Sequence, residues 1–439
     1  MRLQLSIVAA TTMGLNMLTK ISAENWKSIE LAELNIDALT VLIGSNASGK
    51  SNVLDALAFL QRTASGLLLT SALQGDAVAS AMRGGLEWAA RKPGSSFCLS
   101  STVRGTDETT EFDYRIECEI VRGQCELHSE QLIRRKYRVS SKGKRQKNPS
   151  QVQLFRTDAV DPNTPTIIAR LYNGKQGSPR QLSRSSSVLF QLVGQKLAQE
   201  IEEGVSSIIE AHRTIFILDP IPSHMRDYSA FSDRLLPDAA NIAGVLAALP
   251  EKQKNEIEAT LTAYVSKLPE RDIIRVYSEP VGKFNSDAML YCEEGFAQSP
   301  MLLDARGMSD GTLRFLAILM ALLTRPKNSL LVIEEVDNGL HPSRSQLLLD
   351  MLRSVGQQRG VDVMVTTHNP ALLDAMGTEM VPFITVAHRK EGSGATELTL
   401  LEDIEDLPRL LARGTIGKLS SKGAIEVALS AQERSSISE

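Results

Sequence analysis

Apolar positions along the chain fall into two regimes. In the N-terminal part they recur every second residue; in the C-terminal part short unbroken apolar runs alternate with stretches of 3.6-residue periodicity. Residues 18–43 divide into LTKISAENW, SIELAEL and ALTVLIG, which predicts two or three short strands. Val53, Leu57, Leu60 and Leu67–Leu69 predict a helix over 52–71. FCLSSTV and FDYRIECEIV alternate, so 97–121 reads as antiparallel β. The block 130–186 is irregular, with a turn at Asp161-Pro162-Asn163, and reads as strands with exposed hairpin loops. Helical spacing returns over 188–212. IFILDP at 215–220 is a short apolar run, Leu249-Pro250 separates two helices within 239–269, and IIRVYSE and AMLYCEE are further strands. From residue 309 the pattern sharpens to helix 310–324, strand 329–335, helix 343–358, strand 361–366, helix 370–377 and strand 382–387. Helices alternating with buried apolar strands imply a parallel sheet covered on both faces.

The run Leu39–Ile43 leads directly into Gly44-Ser45-Asn46-Ala47-Ser48-Gly49-Lys50-Ser51, and Asn52 follows at the start of the next helical run. This is G-x-x-x-x-G-K-[ST] between a strand and a helix, the context the pattern requires. Successive backbone N–H groups of such a loop wrap a polyphosphate, and the helix presents its positive dipole end to it. Lys50 would neutralise the β- and γ-phosphates, and the Ser51 hydroxyl would ligate Mg²⁺. An accidental Gly/Ser turn would not explain the strand before and the helix after.

Three further segments carry chemistry. Ser329–Glu335 is an apolar strand ending in two acids. A buried strand accounts for the apolar residues but not for the paired carboxylates. Glu334 suits Mg²⁺, and Glu335 suits the positioning or deprotonation of an attacking water. Val363–His368 is another apolar strand, ending in a histidine from which a side chain could reach a γ-phosphate. Met308-Ser309-Asp310-Gly311-Thr312-Leu313-Arg314 opens a helix; ordinary capping explains Ser309 or Asp310, and the same geometry makes Ser309 and Gly311 an anion site.

Composition adds limits. With 48 basic and 52 acidic residues the net charge is −4, so bulk charge does not advertise nucleic acid. Cys98, Cys118, Cys125 and Cys292 form no CxxC pair and read as reduced thiols, which points to the cytoplasm. No apolar run is long enough to span a membrane. Residues 1–17 read as an extension rather than a signal peptide, because Thr, Gly and Asn break their apolar stretch. Locally, Arg134, Arg135, Lys136, Arg138, Lys142, Lys144, Arg145 and Lys147 put eight cations in fourteen residues. This is either a solvated hairpin loop or a DNA or RNA phosphate contact; only Tyr137 is aromatic there, so base stacking is not suggested.

In this order the four segments resemble the ATP-binding-cassette ATPases, in the branch that contains RecF, SMC-type and OLD-family proteins. KISAENWKSIELAELNIDALTVLIGSNASGKSNVLDAL resembles that branch's N-terminal strands and Walker A. MSDGTLR is similar to its signature motif, LVIEEVDNGLHP to its Walker B and D-loop, and TTHNP to its histidine switch. The likeness is strong over 17–70 and 300–390. It implies an α/β P-loop NTPase of ABC-ATPase type: a mixed, mostly parallel sheet flanked by helices, with a β-rich N-terminal subregion and an inserted second lobe. The corresponding divisions are an extension (1–17), a first ATPase half (18–130), an inserted lobe (131–300), a second ATPase half (301–390) and a C-terminal tail (391–439).

The resemblance also implies ATP with Mg²⁺, and a signature segment acting in trans. Ser309 and Gly311 of one copy would meet the γ-phosphate held by Lys50 of another, with Asp337, Asn338 and His341 on the same interface, so a homodimer or higher oligomer follows. Departures are Glu334 where Asp is usual, Asp310 where many relatives have Gly, and a glutamine loop that cannot be placed. Arg83-Gly84-Gly85 reads equally as a turn facing ATP or nucleic acid and as a plain surface turn. No long heptad tract separates the halves, so a chromosome tether is not expected. About seventy residues follow His368, too few for an OLD-type nuclease. The leading expectation is an ATP-driven switch acting on nucleic acid in antiphage defence with a separate effector protein. The alternatives are an ATP-stabilised scaffold that sequesters a toxin or effector, and a RecF-like repair ATPase.

Overall fold

The computed structural model describes residues 16–77, 79–140, 145–172, 177–268, 273–295 and 300–437. Most of the expected N-terminal extension, and Lys142 and Lys144 of the basic stretch, lie outside these residues.

Strands β1 (Met17–Trp26), β2 (Ile29–Asn35) and β3 (Leu39–Ile43) lead into helices α1 (Lys50–Ala64) and α2 (Leu69–Gln74). The expected single helix over 52–71 is therefore two. Gly66 breaks it: φ is +99°, and a Cβ there would lie 2.4 Å from the Phe190 ring. Six antiparallel strands follow: β4 (Ser96–Arg104), β5 (Thr110–Val121), β6 (Gln124–Lys136), β7 (Ser150–Thr157), β8 (Thr166–Tyr172) and β9 (Gly177–Ser183). Then come α3 (Val188–Gln191), α4 (Gln199–Arg213), β10 (Phe216–Leu218), β11 (Ser229–Ala230), α5 (Ile242–Ala248) and α6 (Glu251–Val265). Strands β12 (Ile273–Val281), β13 (Asp287–Glu294) and β14 (Met301–Asp304) precede α7 (Asp310–Thr324), β15 (Leu330–Ile333), α8 (Ser345–Arg359), β16 (Asp362–Thr366) and α9 (Pro370–Met376). The chain closes with β17 (Ile384–Arg389), β18 (Thr396–Leu400), α10 (Leu407–Leu411), α11 (Ile416–Ser421) and α12 (Ala424–Ile437).

Among the described residues, fourteen strands form one sheet in the order β10-β15-β16-β3-β17-β18-β2-β1-β4-β5-β6-β7-β8-β9. From β10 to β17 neighbours run parallel; from β1 to β9 they run antiparallel. Strands β11 to β14 make a second, small sheet. The parallel part is buried on both faces. Val41, Ile43, Leu331, Ile333, Val363 and Val365 join the core beneath α7 and α8, whereas Leu42, Leu330, Val332 and Met364 join the core beneath α1. Period-two alternation within wholly apolar strands produces this division.

Two divisions read from the sequence need correction. The boundary at 130/131 cuts β6, and β6 to β9 extend the main sheet rather than forming a separate lobe, because β6 pairs with β5 and β7, β8 and β9 are added to it in turn. β10, also assigned to the insertion, pairs with β15 inside the parallel region. The segment 391–439 is not a loose tail: β18 lies in the sheet, and Ala395, Thr396, Leu401, Ile425 and Leu429 are buried.

α4 is held against the antiparallel strands by His212. Its Nε2 is 2.8 Å from Ser101 Oγ, and its ring meets Tyr114 edge-on at 5.6 Å. Burial lowers its pKa from 6.5 to about 3. The folded chain keeps this imidazole neutral while the unfolded chain protonates it below 6.5. Its contribution is therefore complete above that value and is lost as pH falls toward 3. On acidification from about pH 7 to about pH 5 the melting temperature is expected to fall, and to fall less steeply in His212→Asn. Equal slopes in thermal melts would contradict this.

Candidate functional site

The loop after β3 is built on unusual backbone angles: φ is +145° at Gly44, +63° at Ala47 and +108° at Gly49. Two of these positions also admit no side chain. A Cβ on Gly44 would lie 2.2 Å from Ala387 O, and one on Gly49 would lie 2.1 Å from Thr396 Oγ1. The C-terminal hairpin β17–β18 thus presses on the outside of the loop. Thr396 Oγ1 donates to Ser48 O at 2.8 Å, and Arg389 Nε donates to Ala47 O at 2.9 Å. Asn52 Nδ2 donates to Ser28 Oγ, which is 2.7 Å from Thr396 Oγ1. Ser48 Oγ is buried without a hydrogen-bond partner among the described residues.

On its inner side the loop lines a cavity of about 260 Å³ with residues 46–52, Glu334, Glu335, Thr366 and Arg389. Gly44 and Ser45 contribute their carbonyls, which accept from Lys50 Nζ at 2.7 and 3.0 Å. Burial lowers the Lys50 pKa, opposed by the carboxylates of Glu335, Glu334 and Glu426. The sheet order explains the convergence. β16 stands between β3 and β15, so all three strands deliver their C-terminal ends to one edge.

Ser51 Oγ donates to Glu334 Oε1 at 2.6 Å. A hydroxyl and a carboxylate at the start of a helix are hard oxygen donors of the kind Mg²⁺ takes, so this pair fits that ion. Glu335 lies at φ +48°, with its N–H donating to Thr366 Oγ1 at 2.8 Å. Its Oε1 is 3.9 Å from His368 Nδ1, and Asn338 Nδ2 is 3.4 Å from Oε2. The two adjacent acids therefore face different partners: they lie in the turn after β15, and the left-handed backbone at Glu335 separates their directions.

Ser309 caps α7, its Oγ accepting from Thr312 N at 3.1 Å. Gly311 packs where a Cβ would meet Gly339 O at 2.7 Å. Arg226 secures the segment by donating to Ala305 O, Met308 O and Asp310 Oδ1. Asp310 is thus the partner of Arg226. Neither Ser309 nor Gly311 lines the cavity.

The sequence left Arg83 open between two readings and did not point to the partners Lys27, Asp55, Asp219, Thr366 and Arg389. Arg83 Nη1 donates to both oxygens of Glu334 at 2.9 and 3.1 Å, and its other nitrogens bind Asp55 and Ser51 O. Burial works against the charge of Arg83, but the bonds to Asp55 and Glu334 prevail and its pKa is raised. Lys27 also binds the buried Asp55, and donates to Arg83 O at 2.6 Å. The turn at Arg83-Gly84-Gly85 therefore faces the nucleotide-type site. Asp219 follows β10, whose Leu218 is in register with Ile333, so it stands beside Glu334; burial and then the Glu334 charge raise its pKa. Thr366 and Arg389 complete the set. IFILDP gave a signal for Asp219; Arg389 had none, because it follows an ordinary strand.

Among the described residues, half of the cations of the basic stretch are paired. Arg134 pairs with Glu200 at 3.1 Å, Arg145 pairs with Glu111 at 2.7 Å, and Arg135 pairs with Asp113. Among those residues, the structure therefore offers less free positive charge here than the sequence suggested.

A strand, phosphate-type loop and helix, with carboxylates directly after a second strand of the same parallel sheet, define a P-loop nucleotide-binding protein. Residues 39–374 match the family described as "AAA domain, putative AbiEii toxin, Type IV TA system", and the chain belongs to that family of ATPase-type proteins. No curated protein matches it. Similar solved structures include an SMC head bound to the C-terminal winged-helix domain of ScpA, at 13% identity over 87% of this chain and 97% of that one, with a TM-score of 0.48. An SMC head from Thermotoga maritima matches at 12% identity over 88% and 98%, with a TM-score of 0.38. An SMC head with an extended coiled coil, bound to the C-terminal domain of ScpA and derived from Pyrococcus furiosus, matches at 12% identity over 91% and 100%, with a TM-score of 0.49. Among the described residues, no helix is long and apolar enough to cross a membrane.

Gly49→Ala is expected to abolish nucleotide binding while leaving far-UV circular dichroism unchanged, since the new methyl meets Thr396 and φ stays positive. Adding Thr396→Ala removes the two nearest contacts but leaves its Cβ at 2.9 Å and the backbone strain, so the double variant should stay inactive. ATP binding by Gly49→Ala in calorimetry would overturn this reading of the loop.

Proposed function

We propose that the protein is a Mg²⁺-dependent ATP hydrolase that works as a dimerisation switch. The observation that carries this reading is the cavity joining Lys50 and Ser51 to Glu334 and Glu335. In this reading loop residues 44–52 bind the triphosphate, and Ser51 and Glu334 hold Mg²⁺, which neutralises phosphate charge. Glu335 orients and deprotonates water, while His368 beside it senses the terminal phosphate. Ser309 and Gly311 stay outside their own chain's cavity. This supports a head-to-tail dimer in which each α7 N-terminus completes the partner's site.

The setting we propose is antiphage defence with a separate effector, in the cytoplasm; the family name, which includes a toxin of a toxin–antitoxin system, supports it. Pairing of Arg134, Arg135 and Arg145 weakens the repair reading and any nucleic-acid contact through the 134–147 stretch. The scaffold alternative predicts slow turnover indifferent to DNA, against DNA-stimulated turnover for the switch. Steady-state ATPase assays with and without DNA separate them.

Lys50→Ala should abolish nucleotide binding. Glu335→Gln should bind ATP, lose turnover by about a hundredfold or more, and accumulate as an ATP-bound dimer by light scattering. Turnover like wild type would remove Glu335 as the base. Lys50→Ala and Ser309→Arg should each be inactive, yet regain activity when mixed, because the heterodimer contains one intact composite site. Absence of rescue despite heterodimer formation would refute action in trans.

A further inference from the structure

We infer that Arg389 forms the base subsite of the nucleotide cavity, its guanidinium stacking on the face of a purine. The inference rests on the reading of loop 44–52 as the phosphate site. It begins with the sheet order. Glu334 and Glu335 follow β15, Thr366 ends β16, and the loop follows β3; Arg389 ends β17, on the far side of β3 from the carboxylates. Val386 is in register with Ile43, so Arg389 lies three residues beyond, level with the loop. The terminal phosphate belongs at the Lys50 and Glu335 end. The base must then extend toward the other end, where Arg389 lines the same cavity.

The guanidinium is already fixed. Nε donates to Ala47 O at 2.9 Å and Nη1 donates to Gly394 O at 2.7 Å. Its neighbours are tied down as well: Lys390 pairs with Glu397 at 2.8 Å, and His388 Nδ1 lies 3.3 Å from Glu433. With Nε and Nη1 each committed to a carbonyl, the orientation of the group is set, and its plane is what a base would stack on. A guanidinium plane stacks on aromatic rings, and no aromatic side chain lines this cavity among the described residues to serve instead. A face contact does not read the hydrogen-bonding edge of the base. Adenine and guanine should therefore gain alike from Arg389.

The test is calorimetric titration of the full-length protein with ADP, GDP and inorganic tripolyphosphate, each with Mg²⁺. Arg389→Ala should weaken ADP and GDP about tenfold more than it weakens tripolyphosphate, whose own loss reports the missing bond to Ala47 O. Arg389→Lys keeps the charge but has no plane, so it should resemble the Ala variant. Tripolyphosphate affinity reports the state of the loop in either variant. Equal losses for ADP and tripolyphosphate would mean that Arg389 binds phosphate or only braces the loop, and would overturn the inference. So would unchanged ADP affinity, or full recovery with Lys. If wild type binds none of the three ligands, the phosphate-site reading fails and the base subsite fails with it. If wild type binds all three and Arg389→Ala binds them equally well, only the base subsite fails.

Discussion

The contact on which the site depends is the one between the loop after β3 and the C-terminal hairpin. A phosphate loop works by pointing backbone N–H groups inward, which forces its carbonyls outward and leaves them needing partners. Here Thr396 takes up Ser48 O, Arg389 takes up Ala47 O, and Lys50 takes up Gly44 O and Ser45 O. Gly44 and Gly49 have no side chains because the hairpin occupies the space where those would stand. The loop's shape is thus imposed by residues more than three hundred positions away in the chain, and β18 is as much a part of the site as β3.

The same edge of the sheet gathers charge that would repel if left alone. Asp55, Glu334, Glu335 and Asp219 converge near Ser51, and Lys27, Arg83 and Lys50 sit among them. Arg83 links the sets, because one guanidinium reaches both Asp55 and Glu334. Lys27 and Arg83 share Asp55, so the buried carboxylate on α1 is paired from two sides. Such a network holds Glu334 in place, and loss of one member would leave a buried charge uncompensated.

Much of this was legible in the sequence. The parallel part of the fold could be read because its strands are apolar on both faces and its helices have sharp ends, as Ser309 before α7 shows. The loop and the paired acids could be read because their chemistry needs fixed spacings. What could not be read were the partners of those residues. Nothing local in Thr396 or Arg389 says that β18 runs beside β2, since one Thr396–Ile29 pairing sets it. The pairing of Arg134, Arg135 and Arg145 was hidden for the same reason. These cations are local in sequence, but the carboxylates that neutralise them lie on β5 and α4. The break at Gly66 depended on Phe190, far along the chain.

The chain carries two stiff half-sites that do not meet within it. The loop is stiffened by the β17–β18 hairpin. The start of α7 is stiffened by Arg226, which ties Ala305, Met308 and Asp310 together, and by Gly311 packed against Gly339. The N-terminus of this capped and fixed helix stands outside the cavity that Lys50 and Glu335 line. Pre-organisation of this kind lowers the ordering cost of association. The carboxylate of Asp310 is paired with Arg226, so it anchors the start of α7 without leaving an uncompensated negative charge at that helix end.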